Sequence, residues 1–134
     1  MNSVRIYIDG ATRGNPGKSG IGVVVRDEED RTVSKISEYI GITTNNVAEY
    51  TALIYALQEA LIMREKEVVI FTDSELLAKQ VRGEYMVKNE DLKRLRKQVA
   101  HLIKGFEKVD IQFVKRERNK SADVLANQAV ENVS

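Results

Sequence analysis

The sequence predicts an α/β fold with a five-stranded mixed sheet, in which three antiparallel strands are followed by two parallel strands, flanked by helices. Three β-branched segments come first and are joined by polar or glycine-rich connections. Segments with helical and strand periodicity then follow in the order helix, strand, helix, helix, strand, helix. This succession is typical of a mixed sheet with helices packed against it.

Alternating β-branched residues predict the first three strands at residues 4–9, 21–26 and 31–40. Residues 10–20 contain four glycines and the only proline, and this composition predicts a loop. The acidic segment 27–30 predicts a polar turn. Because the connections are short, we expect the three strands to form an antiparallel meander.

Helical spacing of apolar residues predicts four helices in the remaining chain, with two strands between them. We expect Asn45 or Asn46 to cap the first helix, which ends near Arg64. The later elements are a strand at 67–72, a helix at 74–82, a break at 83–88, an amphipathic helix with its apolar stripe at 92–106, a strand at 109–114 and a terminal helix containing residues 122–129.

The composition limits both the architecture and the metal chemistry. A chain of 134 residues fits one domain, expected to span residues 1–134. It has no cysteine, which excludes disulfides and thiolate metal sites, so a bound metal needs oxygen ligands or the single histidine, His101, and oxygen ligation favours Mg²⁺ or Mn²⁺. No run of eighteen apolar residues and no apolar signal core are present. We expect a cytoplasmic monomer with no membrane association.

Charge is divided unevenly along the chain. Residues 79–120 hold thirteen basic and six acidic residues, a balance of +7, whereas the whole chain is +1 and the rest is therefore −6. This division is typical of a protein with one acidic site and one basic face for nucleic acid. Solvated helix surfaces explain the same charges equally well, including those of the basic run 93–97.

Four carboxylates differ in placement from the ordinary surface acids. Asp9 and Asp73 each end an apolar strand, and sites in sheets with parallel strands form beyond such carboxyl ends. Glu49 and Asp123 lie among small apolar residues near the starts of predicted helices. Taken singly, each acid could be a cap or a surface charge. Together they require a compensating cation, and two divalent ions roughly 4 Å apart can cleave a phosphodiester.

Four sequence blocks resemble the signature of type 1 ribonuclease H, and they cover nearly the whole chain in the family's order. They are residues 9–17 (DGATRGNPG), 43–53 (TTNNVAEYTAL), 71–74 (FTDS) and 118–126 (RNKSADVLA). The resemblance implies a ribonuclease H-like fold. It also implies a two-metal endonuclease that cleaves the RNA strand of RNA–DNA hybrids, leaving 3′-hydroxyl and 5′-phosphate ends.

The resemblance assigns roles residue by residue. Asp9, Glu49, Asp73 and Asp123 match the metal-binding catalytic acids, with Glu49 also reading the RNA 2′-hydroxyl. Positions that match substrate contacts in the family are Gly10, Asn15, Thr44, Asn45, Asn46 and, as a weaker match, Ser74. Thr44 matches a residue that holds a DNA-strand phosphate.

The chain departs from the family pattern in two places. The loop 115–121 is short and lacks the family's histidine, so we expect Arg118, in preference to Arg116, to act electrostatically on the departing phosphate. Arg116 is expected to contact substrate. The basic protrusion is reduced to 83–89, so hybrid affinity should depend on the basic residues Lys88, Lys93, Arg96, Lys97 and those of the loop 115–120.

Alternatives to this interpretation follow from the same residues. Activity on double-stranded RNA or on DNA junctions would use the same fold, and an inactive hybrid-binding domain would not need all four acids. The segment Gly17-Lys18-Ser19 resembles the end of a phosphate-binding P-loop but lacks the earlier glycine and the following helix. His101 lies off the apolar stripe of its helix and is expected at the surface.

Overall fold

The computed structural model describes residues 3–133. The expected domain of residues 1–134 therefore includes residues 1, 2 and 134, which lie outside the described part of the chain. The strands are β1 (Ser3–Gly14), β2 (Gly17–Arg26), β3 (Thr32–Thr43), β4 (Glu67–Thr72) and β5 (Lys108–Phe113). The helices are α1 (Asn45–Ile62), α2 (Glu75–Val81), α3 (Glu90–Ile103) and α4 (Lys120–Glu131), with a 3₁₀ turn at Arg116–Arg118.

The five strands form one mixed sheet in the order β3-β2-β1-β4-β5. β1 pairs with β2 and β2 with β3 in antiparallel fashion, whereas β4 is parallel to both β1 and β5. This arrangement confirms the predicted fold class and the predicted order of elements.

Helices cover both faces of the sheet. Gly10 of β1 contacts α1, while Gly22 of β2, the register partner of Asp9, contacts α4. Successive residues on a strand face opposite sides, so α1 and α4 lie on opposite faces. The main core lies under α1, whose buried side chains include Tyr50, Leu53 and Leu57. Within the described residues, no helix is long and apolar enough to cross a membrane.

The prediction of a loop at residues 10–20 is wrong. Most of that segment extends β1 and β2 into a hairpin, with only Asn15 and Pro16 between the two strands. Gly10 and Gly20 of this segment reflect helix packing: a Cβ on Gly20 would lie 2.7 Å from the carbonyl oxygen of Ala126. Only a residue without a side chain allows α4 to approach the sheet so closely. Gly14 alone among the four loop glycines has a positive φ, at 88°.

Two helix boundaries also differ from the prediction. Thr44, not Asn45 or Asn46, caps α1, and its hydroxyl oxygen accepts the N–H of Val47 at 3.3 Å. A threonine hydroxyl satisfies a free N–H of the first turn as an asparagine would, so the cap lies one residue earlier. α3 ends at Ile103, and Phe106 packs on the core from beyond the helix.

Candidate active site

Two of the predicted acids lie side by side where the parallel pairing of β1 and β4 ends. The last paired residues are Ile8 and Thr72, so Asp9 is the next residue within β1 and Asp73 directly follows β4. Asp9 is almost completely buried, with 5% of its surface exposed. The parallel pairing brings the two carboxylates together as expected, although β1 continues to Gly14 and Asp9 does not end its strand.

Helix α1 brings Glu49 to the same place because a glycine allows the helix to touch the strand. A Cβ on Gly10 would lie 2.8 Å from the Cβ of Ala48 and 2.9 Å from the backbone nitrogen of Glu49. The Glu49 carboxylate accepts a hydrogen bond from the backbone N–H of Gly10. Carboxylate oxygens of Asp9, Glu49 and Asp73 all lie within 4.8 Å of one another.

The fourth acid, Asp123, reaches the site from the first turn of α4. The start of this helix is anchored by Asn119, a fully buried residue whose Nδ2 donates to the carbonyl oxygen of Ile8 at 2.8 Å. The backbone N–H of Asp123 donates to the carbonyl of Asn119 at 3.1 Å. The side chain of Asp123 also contributes to the raised pKa of Asp9. Asn119 therefore sets the distance between α4 and β1, although the sequence suggested no role for it.

The acids repel one another at the base of a cleft, where burial also disfavours their charged forms. Burial, together with the charges of Glu49 and Asp73, raises the pKa of Asp9 to about 9, and burial is the largest of these causes. Burial also raises the pKa of Glu49 to about 8, with the charge of Asp73 adding to the rise. The N–H of Gly10 and the charge of Arg116 oppose the rise at Glu49. At neutral pH these two carboxyl groups hold protons unless a cation replaces them.

The donor set fits a hard divalent cation. Oε1 of Glu49 is buried and, among residues 3–133, has no hydrogen-bond partner. An unpartnered buried carboxylate oxygen is costly unless a ligand satisfies it. Oxygen ligands from Asp9, Glu49 and Asp73 at this spacing suit Mg²⁺ or Mn²⁺. The described residues thus form an acidic triad that could hold metal, with Asp123 next to it.

A cleft of about 490 Å³ opens above these acids. Most of the residues predicted for the site line it, and these are Asp9, Gly10, Asn45, Asn46, Glu49, Asp73, Ser74, Arg116 and Asp123. Arg13 and Asn127 also line the cleft but were not predicted. The position of Asn127, one turn after Asp123 on the same helix face, was the available signal for it.

Three predicted site residues are not among the described residues that line the cleft: Asn15, Thr44 and Arg118. Asn15 supports the cleft indirectly, because its Oδ1 accepts the N–H of Asn45 at 3.0 Å. Thr44 caps α1. Arg118 is an exposed residue at the end of the 3₁₀ turn. Arg116 lines the cleft, and its charge lowers the pKa of Glu49. The geometry therefore favours Arg116 over Arg118 as the cation of the site.

A second groove, of about 500 Å³, lies between the segment after α2 and the first turns of α3. Basic and apolar residues share its lining, including Tyr85, Met86, Lys93 and Lys97. Lys93 forms an ion pair with Glu90 of its own helix at 3.3 Å. The basic run 93–97 thus borders a groove, while some of its charges are balanced locally.

Comparison with known proteins gives a consistent picture. A family model described as "Reverse transcriptase-like" matches residues 7–129. The chain is 39% identical over 128 residues to the "Ribonuclease HI" of Halobacterium salinarum, covering 96% of this chain and 64% of that protein. It is 35% identical over 153 residues to the "Ribonuclease H" of Chromohalobacter salexigens, covering 99% of this chain and 87% of that protein.

A solved structure is similar along almost the whole chain. LC11-RNase H1 in complex with an RNA/DNA hybrid has a TM-score of 0.93 and 41% identity, covering 97% of this chain and 98% of that chain. Some relatives are longer, and the chain spans only 35% of the length of the bifunctional protein of Mycobacterium tuberculosis that it matches.

Proposed function

The chain belongs to the ribonuclease H family, and from this premise we propose that it is a metal-dependent endoribonuclease acting on RNA–DNA hybrids. It would hydrolyse the RNA strand to 3′-hydroxyl and 5′-phosphate products, as one catalytic domain spanning the chain. The clustering of Asp9, Glu49 and Asp73 within 4.8 Å, in a cleft with Asn45 and Asn46, carries this proposal.

In the proposed reaction the four acids bind metal, and Arg116 stabilises charge on the phosphate. Asp9, Glu49, Asp73 and Asp123 would hold two Mg²⁺ or Mn²⁺ ions. When bound, the ions activate water for in-line attack and stabilise the leaving oxygen. Arg116 would offset negative charge on the phosphate as it departs. An arginine cannot move protons, so its contribution is electrostatic, and we propose that it takes the role expected for Arg118.

RNA selection would depend on Glu49 and the amides at the start of α1. Asn45 and Asn46 line the cleft, and each side-chain amide offers both a donor and an acceptor to a 2′-hydroxyl. Gly10 and Ser74, which line the cleft, would contribute further substrate contacts, and Asn15 would support the cleft through its bond to Asn45.

The DNA strand would be held away from the acids. The hydroxyl oxygen of Thr44 accepts the N–H of Val47, which leaves its O–H free to donate to a phosphate. The basic groove that contains Lys93 and Lys97 would contact further phosphates through charge. Lys88 and Arg96 would add to this attraction, and the Arg96 side chain also donates to the carbonyl of Gln80 at 2.9 Å.

The proposal is tested by cleavage of a hybrid whose RNA strand carries a 5′ label. We expect cleavage with Mg²⁺ or Mn²⁺ and none with a chelator. Asp73→Asn should abolish cleavage while hybrid binding persists. Wild-type protein that binds the hybrid tightly without metal-dependent cleavage would instead indicate a hybrid-binding domain. Parallel reactions with duplex RNA and duplex DNA measure the substrate range. A cytoplasmic location and a monomeric state remain proposals, which cell fractionation and sedimentation test.

A further inference from the structure

A line of side chains connects the fourth acid to the tip of the β1–β2 hairpin. On α4, Asn127 lies one turn after Asp123, and its Nδ2 donates to Oδ1 of Asp123 at 3.1 Å and to its carbonyl oxygen at 2.9 Å. The Oδ1 of Asn127 accepts from Nη1 of Arg13 at 2.8 Å. Arg13 also lies 3.5 Å from the carboxylate of Glu131. Asn127 is thus held at both ends of its amide.

Asp123 needs such a partner more than the other acids do. Asp9 and Asp73 are placed by paired strands and Glu49 by the contact of α1 with Gly10. Asp123 lies outside the triad whose oxygens are within 4.8 Å of one another, and like Glu49 and Asp73 it is only partly buried. A side chain in this position can rotate unless a hydrogen bond selects one rotamer. The amide of Asn127 supplies that bond, because its N–H group donates to one carboxylate oxygen. The amide oxygen could not take its place, since an ionised carboxylate has no proton to donate.

The hairpin tip gives this arrangement a rigid base. Arg13 lies near the end of β1, and Asn15 of the adjoining turn accepts the N–H of Asn45 on α1. The same hairpin therefore contacts the first residue of α1 and the middle of α4. A guanidinium donor also fixes which end of the Asn127 amide faces Asp123, because arginine can only donate.

We propose that Asn127 is a positioning residue for the Asp123 carboxylate and that Arg13 anchors it. The proposal rests on the proposed function, because it assigns Asp123 to the metal site of a nuclease. Hydrogen bonds that orient a metal-binding carboxylate typically change metal affinity or activity by about tenfold or more when they are removed. Neither residue needs to touch the metal or the reacting phosphate.

The test compares Asn127→Ala, Asn127→Asp and Arg13→Ala with Gln128→Ala, an exposed neighbour on α4. We expect Asn127→Ala to lower kcat on the hybrid about tenfold with little change in KM, and to weaken Mn²⁺ binding in calorimetry by a similar factor. Asn127→Asp should lower both further, although it offers Arg13 an ion pair, because it places a second carboxylate against Asp123. Gln128→Ala should resemble the wild type in both measurements.

Arg13→Ala provides a second route, because the Arg13 side chain is 46% exposed and its removal opens no core. We expect a loss of about threefold in kcat, from a looser Asn127 amide, and recovery in Arg13→Lys, which keeps a donor. Wild-type kcat and wild-type Mn²⁺ affinity in both Asn127→Ala and Arg13→Ala would overturn the proposal. So would an Asn127→Asp variant as active as Asn127→Ala, since only helix structure would then matter. Calorimetry needs no cleavage, so an inactive wild type would refute the proposed function while the Mn²⁺ affinities still decide this inference.

Discussion

Replacing Asp9 with asparagine should stabilise the folded protein when no divalent metal is present. In the folded chain, burial and the neighbouring carboxylates raise the pKa of Asp9 from 3.8 to about 9. The folded state therefore binds a proton that the unfolded state releases, and stability falls as pH rises through the window between these two values. Asp9→Asn has no such proton, and its amide has nearly the shape of the protonated acid.

The size of the effect follows from the width of that window. A pH of 7 is about three units above the ordinary pKa of Asp9, which applies in the unfolded state, and each unit corresponds to about 1.4 kcal/mol. We therefore expect Asp9→Asn to be more stable than the wild type by about 4 kcal/mol at pH 7 in a chelator. Near pH 4 the difference should shrink to well under 1 kcal/mol, because the unfolded wild type is then close to its ordinary pKa of 3.8 and holds the proton about half of the time.

Urea denaturation followed by circular dichroism, at half-unit steps from pH 4 to pH 8 in a chelator, measures this difference. Glu28→Gln, which removes an acid from an exposed turn, is the matched control. It should keep the pH slope of the wild type. Addition of Mg²⁺ should reverse the order, because the wild type binds the ion and Asp9→Asn binds it poorly. Parallel pH slopes for the wild type and Asp9→Asn, or a less stable Asp9→Asn at pH 7 in chelator, would refute the reasoning.

Three further predictions test the packing, the arginine and the basic groove. Gly22→Ala should lower the free energy of unfolding by about 3 kcal/mol, because its Cβ would meet the carbonyl of α4 at 2.1 Å; urea denaturation checks this, and an unchanged midpoint would contradict the contact. Arg116→Ala should lower kcat by about tenfold to 100-fold, well beyond the loss in Arg118→Ala; the opposite ranking in hybrid cleavage would return the role to Arg118. Lys97→Ala should reduce the slope of log affinity against log salt by about one, as measured by hybrid binding in chelator; an unchanged slope would remove the groove from the interface.

Much of the site could be predicted because its acids obey local rules. Asp73 directly follows an apolar strand and Asp9 lies where the parallel pairing with that strand ends, so the two acids meet at one edge of the paired region. The absence of cysteine leaves oxygen as the metal donor. The order of strands and helices followed from periodicity, which depends only on neighbouring residues.

Glycine was misread for a physical reason. A local reading of residues 10–20 treats glycine as a source of backbone freedom, and it predicts a loop. Gly10 and Gly20 are instead in strands, where helices approach too closely for a side chain: a Cβ on Gly20 would lie 2.7 Å from the carbonyl of Ala126. The two uses of glycine have the same sequence signal, and only the position of the helices distinguishes them.

The sequence by itself determined which four acids form the candidate site and the order of the strands and helices that carry them. The tertiary structure decided which neighbours complete the site. Arg116 lines the cleft and Arg118 does not, although both belong to the same short 3₁₀ turn. The bond between Arg13 and Asn127 joins residues 114 positions apart. Such contacts depend on where α4 packs against the β1–β2 hairpin, and no local sequence pattern indicates that position.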